Sequence, residues 1–166
     1  MKNNYLILVV VCFLLSACGG GGGHSIEVHA TDPVPTIVSF DLVDSFGVDT
    51  AVSNRALEID PFTDGGLFDL RWRVNSLEDY EVNIRVNSRP DVNNSILIYS
   101  DLCGAGLKCD QGDELICQYT ADYYLSCGGA LKRDIKGLPQ DVYLMLEICD
   151  LDSSYCVYRD YPVSML

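Results

Sequence analysis

Eight cysteines are the residues whose type and spacing point most directly to chemistry, and six of them lie between residues 103 and 156. Cysteines either bind metals or form disulfides. Zinc sites combine closely spaced cysteine pairs with histidines, but this sequence has no CxxC pair, and its only histidines, His24 and His29, lie far upstream. An even number of cysteines favours three disulfides if the protein reaches an oxidising compartment. We therefore predict no metal site and no cofactor.

The spacing of the six cysteines favours one pairing. Cys149 and Cys156 enclose six residues between two predicted strands, so they can face each other across a hairpin. Sequential pairing of the other four closes short loops, and the resulting bonds are Cys103–Cys109 and Cys117–Cys127. An alternative, in which the first of these four pairs with the third and the second with the fourth, stays open.

No set of side chains in this region suits catalysis. A Ser-His-Asp or Cys-His site needs a histidine held within the fold, and both histidines precede the predicted domain. Glycoside hydrolysis needs two carboxylates at a set separation in a cleft. No spacing singles out a pair among the candidate glutamates, which are Glu58, Glu78, Glu81, Glu114 and Glu147. We predict no catalytic residues and no enzymatic activity.

Asp150, Asp152 and Ser154 are spaced like the first ligands of an EF-hand calcium loop. Tyr155, however, occupies the position that requires glycine, and no helices are predicted on either side. A hairpin turn rich in Asp and Ser explains the same residues. We predict this turn, with calcium binding as the alternative.

The N-terminus contains a targeting segment. Lys2 precedes an apolar run over residues 5–15, which is too short to span a bilayer, since that takes roughly 20 residues. Leu15-Ser16-Ala17-Cys18 follows and resembles the lipobox of bacterial lipoproteins. The resemblance implies that Cys18 becomes the N-terminus and carries a diacylglyceryl thioether and usually an acylated amine. Two or more acyl chains, such as palmitate, give stable anchoring. An ordinary cleaved signal with a spare Cys18 is the alternative.

The lipobox resemblance sets the first boundary within the chain, and the glycine- and proline-rich composition before Thr36 sets the second. Residues 1–17 are the signal peptide, 18–35 are a lipidated tether containing five successive glycines, and 36–166 are the folded domain. Gly19 occupies the position where an aspartate retains lipoproteins of enteric-type bacteria in the inner membrane. The resemblance therefore implies the outer membrane, with the domain facing either the periplasm or the medium.

The charge of the chain limits its partners. It has 24 acidic and 11 basic residues and a net charge of −13, or about −14 once Lys2 leaves with the signal. Such a surface repels nucleic acid and anionic headgroups. We predict no nucleic-acid partner and a domain that touches the membrane only through its lipid. A basic protein, a cation or a neutral glycan remains compatible.

Apolar and polar residues alternate with period two from Thr36 onward. The clearest runs, 68–75 and 80–87, each indicate a strand with one buried and one solvated face, with Trp72 in the core. Residues 142–148 are nearly all apolar and indicate a central strand. No stretch shows helical periodicity, so we predict an all-β domain of seven or eight strands, arranged as a sandwich.

Short motifs in this domain resemble fibronectin type III domains. Leu138-Pro139 followed by Tyr143 is similar to their tyrosine corner, although Leu138 adjoins the proline instead of preceding it by two residues. Trp72 resembles their strand B tryptophan and residues 80–84 their strand C. The six cysteines are not a feature of that family. The resemblance implies an immunoglobulin or fibronectin III-like antiparallel β-sandwich, here stapled by three disulfides.

The resemblance places strands 68–75 and 80–87 in opposite sheets, and a hairpin between them is the alternative. In the hairpin register Arg73 faces Glu81 and Asp69 faces Arg85, and both pairs attract. The arginines on the outer faces of these strands could also bind glycans or anions, although charged residues commonly occupy a solvated strand face.

Residues 103–127 differ in composition from the rest, with four cysteines and several glycines and acidic residues. They predict a disulfide-pinned insertion, which is where a binding surface is commonly carried. Tyr119, Tyr123 and Tyr124 are the candidate contact residues, because tyrosine brings a large contact area at low entropy cost. We predict a non-catalytic outer-membrane lipoprotein that acts as an interaction or structural module with an envelope protein partner. The alternative is a glycan-binding module.

Overall fold

The computed structural model describes residues 34–47, 56–104, 106–109, 112–128, 131–134 and 140–166. The predicted anchor Cys18, both histidines and the Leu138-Pro139 part of the tyrosine corner lie outside these residues. Ten strands and one short 3-10 turn form the regular structure of the described part. None of its helices is long and apolar enough to cross a membrane.

The strands follow the period-two pattern of the sequence. Their bounds are β1 Thr36–Asp44, β2 Leu57–Ile59, β3 Leu67–Asn75, β4 Tyr80–Asn87, β5 Ile96–Cys103, β6 Gly112–Tyr119, β7 Tyr124–Cys127, β8 Leu131–Asp134, β9 Asp141–Asp150 and β10 Cys156–Met165. The 3-10 turn spans Asp64–Gly66 and leads into β3.

These strands form two five-stranded sheets. The first has the order β1-β3-β6-β7-β8 and the second has the order β2-β10-β9-β4-β5. Among the described strands, neighbours are antiparallel except for β2, which runs parallel to β10. The prediction of an all-β sandwich is confirmed, although the domain contains more strands than the seven or eight expected.

The core lies between the inner faces of the two sheets. In β3 the apolar residues Phe68, Leu70, Trp72 and Val74 are buried, as their alternation predicts. Strand β9 lies between β10 and β4, and Met145 is buried on the face of β9 that points away from the core between the sheets. The prediction of a central strand at 142–148 is therefore confirmed, and the apolar residue at position 145 is explained by its burial on the outer face, where Tyr143 and Glu147 remain partly exposed.

Strands β3 and β4 lie in different sheets, so the alternative hairpin between them is wrong. The link between β3 and β4 contains an internal hydrogen bond, in which the Ser76 hydroxyl donates to the Glu78 carbonyl oxygen at 2.8 Å. Two of the charges that made the hairpin attractive have other partners. Arg85 pairs with Glu147 on β9 at 2.6 Å, and Asp69 lies beside Arg71 on its own strand at 3.5 Å.

Three disulfides crosslink the domain, and their pairing is the sequential one predicted. Two of them join residues that are directly opposite in neighbouring strands, with Cα atoms 4.1 Å apart in both, namely Cys117–Cys127 and Cys149–Cys156. The third, Cys103–Cys109, closes the segment that follows β5, with Cα atoms 5.1 Å apart. Tyr80, buried in the core, donates its hydroxyl proton to the Cys109 carbonyl oxygen at 2.6 Å and holds that segment down.

The sandwich has two ends, which we name from β1. The proximal end is where β1 begins and the distal end is where it finishes. Strand β10 runs in the same direction across the core, because Arg159 donates to the Val38 carbonyl oxygen and Tyr161 packs edge-on against Phe40, their ring centroids 6.1 Å apart. Nine residues of β1 separate the ends by about 30 Å.

The connections divide between these ends. Among the described connections, turns 44–47, 60–66, 88–95 and 120–123 lie at the distal end, and turns 76–79, 106–109 and 151–155 lie at the proximal end.

Candidate contact surface at the distal end

The turn after β1 presents a phenylalanine to solvent. The Asp44 carboxylate accepts a hydrogen bond from the Phe46 backbone N–H at 2.9 Å, and the Gly47 N–H donates to the Asp44 carbonyl oxygen at 3.0 Å. An aspartate that bonds the backbone two residues later is typical of this kind of turn. Phe46 at its third position is 70% exposed.

The turn after β2 repeats this arrangement. Asp60 accepts a hydrogen bond from the Phe62 N–H at 2.9 Å, and the Thr63 N–H donates to the Asp60 carbonyl oxygen at 3.1 Å. The hydrogen bond from Phe62, followed by one from the Thr63 hydroxyl, lowers the pKa of Asp60. Phe62 is 85% exposed, more than any other large apolar side chain of the described residues.

The turn between β6 and β7 carries the three tyrosines predicted as contact residues, and the structure separates them. Tyr123 is 53% exposed and Tyr124 is also exposed, so both are available for contacts. Tyr119 is buried at 4% exposure, because it continues the inward alternation of Leu115 and Cys117 along β6. Its inclusion in the contact surface was wrong. Burial, with a smaller effect of Tyr123, raises the pKa of Tyr119.

The second and third turns are packed together. Gly66 adopts a left-handed backbone conformation, with φ 66°, and lies directly against the Tyr119 carbonyl group. Beside it, the Gln118 side-chain amide donates to the Gly65 carbonyl oxygen at 3.0 Å. The turn that carries Phe62 is therefore fixed to the end of β6, next to the turn that carries Tyr123.

These turns form what we call the aromatic end, defined by the exposed residues Phe46, Phe62, Tyr123 and Tyr124. Strands β1, β3, β6 and β7 are consecutive neighbours, so the first and last of them are about 14 Å apart. Sequence reasoning missed both phenylalanines because turn residues show no periodicity. The available signal was Asp-x-Phe, which occurs at 44–46 and again at 60–62.

The segment 103–127 is not a separate insertion, contrary to the prediction. Its second half forms β6 and β7 of the first sheet, and Cys117 and Cys127 are buried in the core. Its first disulfide, Cys103–Cys109, lies at the proximal end, away from the exposed tyrosines.

The arginines on β3 and β4 do not form a row of unpaired side chains that could bind anions. On the first sheet Arg71 donates to Glu114 through two nitrogens, at 2.9 and 2.6 Å. These hydrogen bonds, with the charge of Arg71, lower the pKa of Glu114. Burial and then the charge of Glu114 raise the pKa of Asp69 beside them. Arg71 and Arg85 are thus engaged with carboxylates, which weakens the anion-binding interpretation.

The candidate glutamates are divided between the two sheets, and Glu81 and Glu147 lie on neighbouring strands. Glu114 lies on the outer face of the first sheet, Glu81 and Glu147 lie on that of the second, and Glu81 accepts a hydrogen bond from Ser100 at 3.1 Å. The one grouping of potential metal ligands in the described residues is Glu147, Cys149 and Cys156. Because those two sulfurs are bonded to each other, the grouping offers no thiolate.

The Asp150 turn has the geometry of a hairpin turn. The Asp150 carboxylate accepts hydrogen bonds from the Ser153 N–H, at 2.7 Å, and from the Ser153 hydroxyl. These bonds lower the pKa of Asp150. Because Ser153 occupies the carboxylate, the turn explanation is favoured over calcium.

Comparison with known proteins adds no relative. No protein-family model matches the chain, and no curated protein matches it in sequence.

Proposed function

We propose that this protein is a non-catalytic lipoprotein of the bacterial outer membrane whose sandwich domain contacts another envelope component through the aromatic end. The observation that carries the proposal is the exposure of four aromatic side chains at one end of the domain. Exposed apolar groups gathered in one place mark interaction sites. Hydrogen-bonded turns fix their backbone, so little entropy is lost on binding.

The lipobox-like residues support the anchoring part of the proposal. The lipid on Cys18 would hold the chain at the membrane, and the tether over 18–35 would join the domain at its proximal end, where Val34 precedes β1. The aromatic end then lies about 30 Å from that junction, at the far end of the domain. Three disulfides are consistent with an oxidising compartment outside the cytoplasm.

The strand order supports an immunoglobulin-like arrangement as the finer description of the fold. A short β2 pairs in parallel with the final strand β10, and β3 and β4 lie in opposite sheets. Such a fold carries many unrelated functions, so the proposed role rests on the aromatic end and not on the fold.

Metabolic labelling with a palmitate analogue tests the anchor. Cys18→Ser should abolish labelling and release the protein from the outer-membrane fraction. Cys12→Ser is the matched control, because Cys12 lies within the apolar run and outside the lipobox. Labelling that persists in Cys18→Ser would contradict the lipoprotein assignment.

Crosslinking in intact envelopes tests the contact. The native protein should give a stoichiometric crosslinked product that is lost in both Cys18→Ser and Phe62→Ala. Recovery of the domain alone in every form would count against an interaction module.

A glycan-binding module is the second candidate, favoured by the adjacent exposed residues Tyr123 and Tyr124. Binding to a neutral glycan would barely respond to salt, whereas binding to a charged protein would weaken as salt rises. Retention on purified envelope polysaccharide at both low and high salt would favour this candidate.

A further inference from the structure

The turn between β4 and β5 contains the one N-glycosylation acceptor sequence of the chain. Of the eight asparagines, only Asn93 is followed two residues later by serine or threonine, in Asn93-Asn94-Ser95. The acceptor sequence is Asn-x-Ser or Asn-x-Thr, in which x is not proline. Because this motif is short, its place in the fold decides whether it can be used. A usable site lies on the surface of an exported protein.

The fold places this sequence on the surface. Asn93 lies in the turn over residues 88–95 at the distal end, and both Asn93 and Asn94 are exposed. Strand β4 ends at Asn87 and β5 begins at Ile96, so the turn contributes no pair to the sheet. A bulky group on Asn93 can therefore be accommodated outside the core. The three disulfides are consistent with export.

We propose that Asn93 is an N-glycosylation site, modified with an oligosaccharide from a polyprenyl diphosphate donor. In this transfer the bond between C1 of the first sugar and the diphosphate oxygen breaks, and a bond forms between C1 and Asn93 Nδ2. Nδ2 loses one proton to a base of the transferase, and the polyprenyl diphosphate leaves with the bonding electron pair. The inference goes beyond the proposed contact at the aromatic end and requires only that the chain is exported.

The acceptor nitrogen has a defined position. Asn93 Nδ2 donates a hydrogen bond to Asp91 Oδ1 at 2.8 Å, and the same oxygen accepts the Asn93 backbone N–H at 2.9 Å. Because a carboxylate only accepts hydrogen bonds, the atom beside Asp91 is the amide nitrogen and not the amide oxygen. Nδ2 carries two hydrogens, so the sugar can replace one while the other keeps the bond to Asp91.

The shape of the turn does not depend on the group that the sugar would replace. The Asn87 side-chain amide donates to the Asp91 carbonyl oxygen at 2.6 Å and to the Asn93 carbonyl oxygen at 3.1 Å. Asn94 has a left-handed backbone conformation, with φ 60°, which asparagine adopts more readily than most residues. A glycan on Asn93 is therefore compatible with the folded turn.

Ser95, the third residue of the acceptor sequence, faces the turn. Its hydroxyl donates to the Val92 carbonyl oxygen at 2.6 Å and accepts a hydrogen bond from Arg85 at 3.4 Å. Since the acceptor sequence requires the hydroxyl residue at this position, a transferase must reach Ser95 before these bonds form or while the turn is open. The modification thus belongs to the stage of export at which the domain is still folding.

Mass spectrometry of the native protein tests this inference. The full chain is purified from envelopes of the organism that produces it, reduced, alkylated and cleaved with trypsin. The peptide over residues 86–108 contains Asn93, because trypsin does not cleave between Arg89 and Pro90. This peptide excludes Cys18, so a lipid on Cys18 does not affect its mass. It should carry the added mass of hexose or N-acetylated hexose units, and fragmentation should place that mass on Asn93.

Four variants separate the acceptor sequence from the turn. Asn93→Gln and Ser95→Ala should each abolish the added mass. Ser95→Thr should keep it, because threonine also satisfies the acceptor sequence. Asn94→Asp should keep it as well, because position 94 accepts any residue except proline and aspartate tolerates a positive φ. Each variant should remain unreactive towards a thiol reagent, which shows that the three disulfides have formed and the domain has folded.

Three outcomes overturn the inference. The first is an unmodified 86–108 peptide in the native protein. The second is an added mass that persists in Asn93→Gln or disappears in Asn94→Asp, since the modification would then not follow the acceptor sequence. The third is a mass change equal to the conversion of an amide to a carboxylate, which would assign the turn to deamidation. All three leave the proposed function standing, because crosslinking and palmitate labelling test it separately.

Discussion

The Asp60 carboxylate accepts a 2.9 Å hydrogen bond from the Phe62 N–H, and Asp44 holds Phe46 at the same distance in a separate turn. Two turns that are remote from each other in sequence therefore present the same side chain by the same backbone device at one end of the molecule. Neither phenylalanine contributes to the core, since both side chains are mostly exposed.

The stability of the turn after β2 should depend on the side-chain oxygens at position 60, which accept its hydrogen bonds. Asp60→Ala should lower the urea midpoint of unfolding, because the Phe62 N–H and the Thr63 hydroxyl lose their acceptor. Asp60→Asn should retain most of the stability at neutral pH. Equal midpoints for the alanine variant and the native protein would show that the turn does not need this bond.

The lowered pKa of Asp60 predicts that the stability of the domain depends on pH. The pKa of Asp60 is lowered from 3.8 in the folded protein, so the unfolded chain takes up its proton first as the pH falls. The stabilisation is complete above about pH 5 and disappears as the pH falls through the folded pKa. The difference in urea midpoint between the native protein and Asp60→Asn should therefore shrink between pH 5 and pH 2.

Gly66 should tolerate a side chain far less well than Gly47. Both have positive φ, 66° and 78°, but a Cβ on Gly66 would meet the Tyr119 carbonyl group, whereas one on Gly47 would enter open space. Gly47→Ala should cost about 1 kcal/mol from backbone conformation alone. Gly66→Ala should cost clearly more and displace the Phe62 turn. Urea unfolding compares them, and similar costs would contradict the close contact.

Removing the charge of Glu114 and removing the charge of Asp69 should have different effects on the stability of the domain. Glu114→Gln should lower the urea midpoint slightly at pH 7, because the ionised form is favoured by Arg71. Asp69→Asn should leave the midpoint unchanged or raise it, because burial and Glu114 disfavour the charge of Asp69 in the folded protein. The opposite ranking would mean that Asp69, not Glu114, is the principal partner of Arg71.

The disulfides should differ in their resistance to reduction. Cys156 is exposed, whereas Cys117 and Cys127 are fully buried, so dithiothreitol should reduce Cys149–Cys156 first and Cys117–Cys127 last. Alkylation and mass spectrometry over time give the order. Without reductant none of the six should react with a thiol reagent. Replacing Cys117 and Cys127 by alanine should cost about 2–4 kcal/mol.

Sequence alternation was sufficient to predict which residues of β3 are buried, because a strand with one inner face imposes period two. In β4 and β9 it predicted the inner face but not the burial of Asn83 and Met145 on the outer face. Hairpin spacing was likewise sufficient for the Cys149–Cys156 bond. Strand partners were harder to predict. An exposed ion pair such as Arg73 with Glu81 contributes little to the choice of strand partner. Strand β4 pairs instead with β5 and β9, where Arg85 meets Glu147.

The contact surface was predicted only in part. Tyr123 and Tyr124 are exposed as expected, whereas the alternation of Leu115 and Cys117 already implied that Tyr119 points inward. Phe46 and Phe62 lie outside every alternating run, and only the folded chain shows that their turns meet at one end.

Thr36, where β1 begins, and Phe62 lie at opposite ends of the described domain, and this has a mechanical consequence if the chain is anchored and bound as proposed. A pull between a membrane anchor and a bound partner would run along the strands. The hydrogen bonds between β1 and β3 are perpendicular to that direction, and this pairing extends from Thr36 to Asp44. A load that entered at Thr36 and left through the turn of Phe62 would shear this ladder as a whole instead of opening it bond by bond.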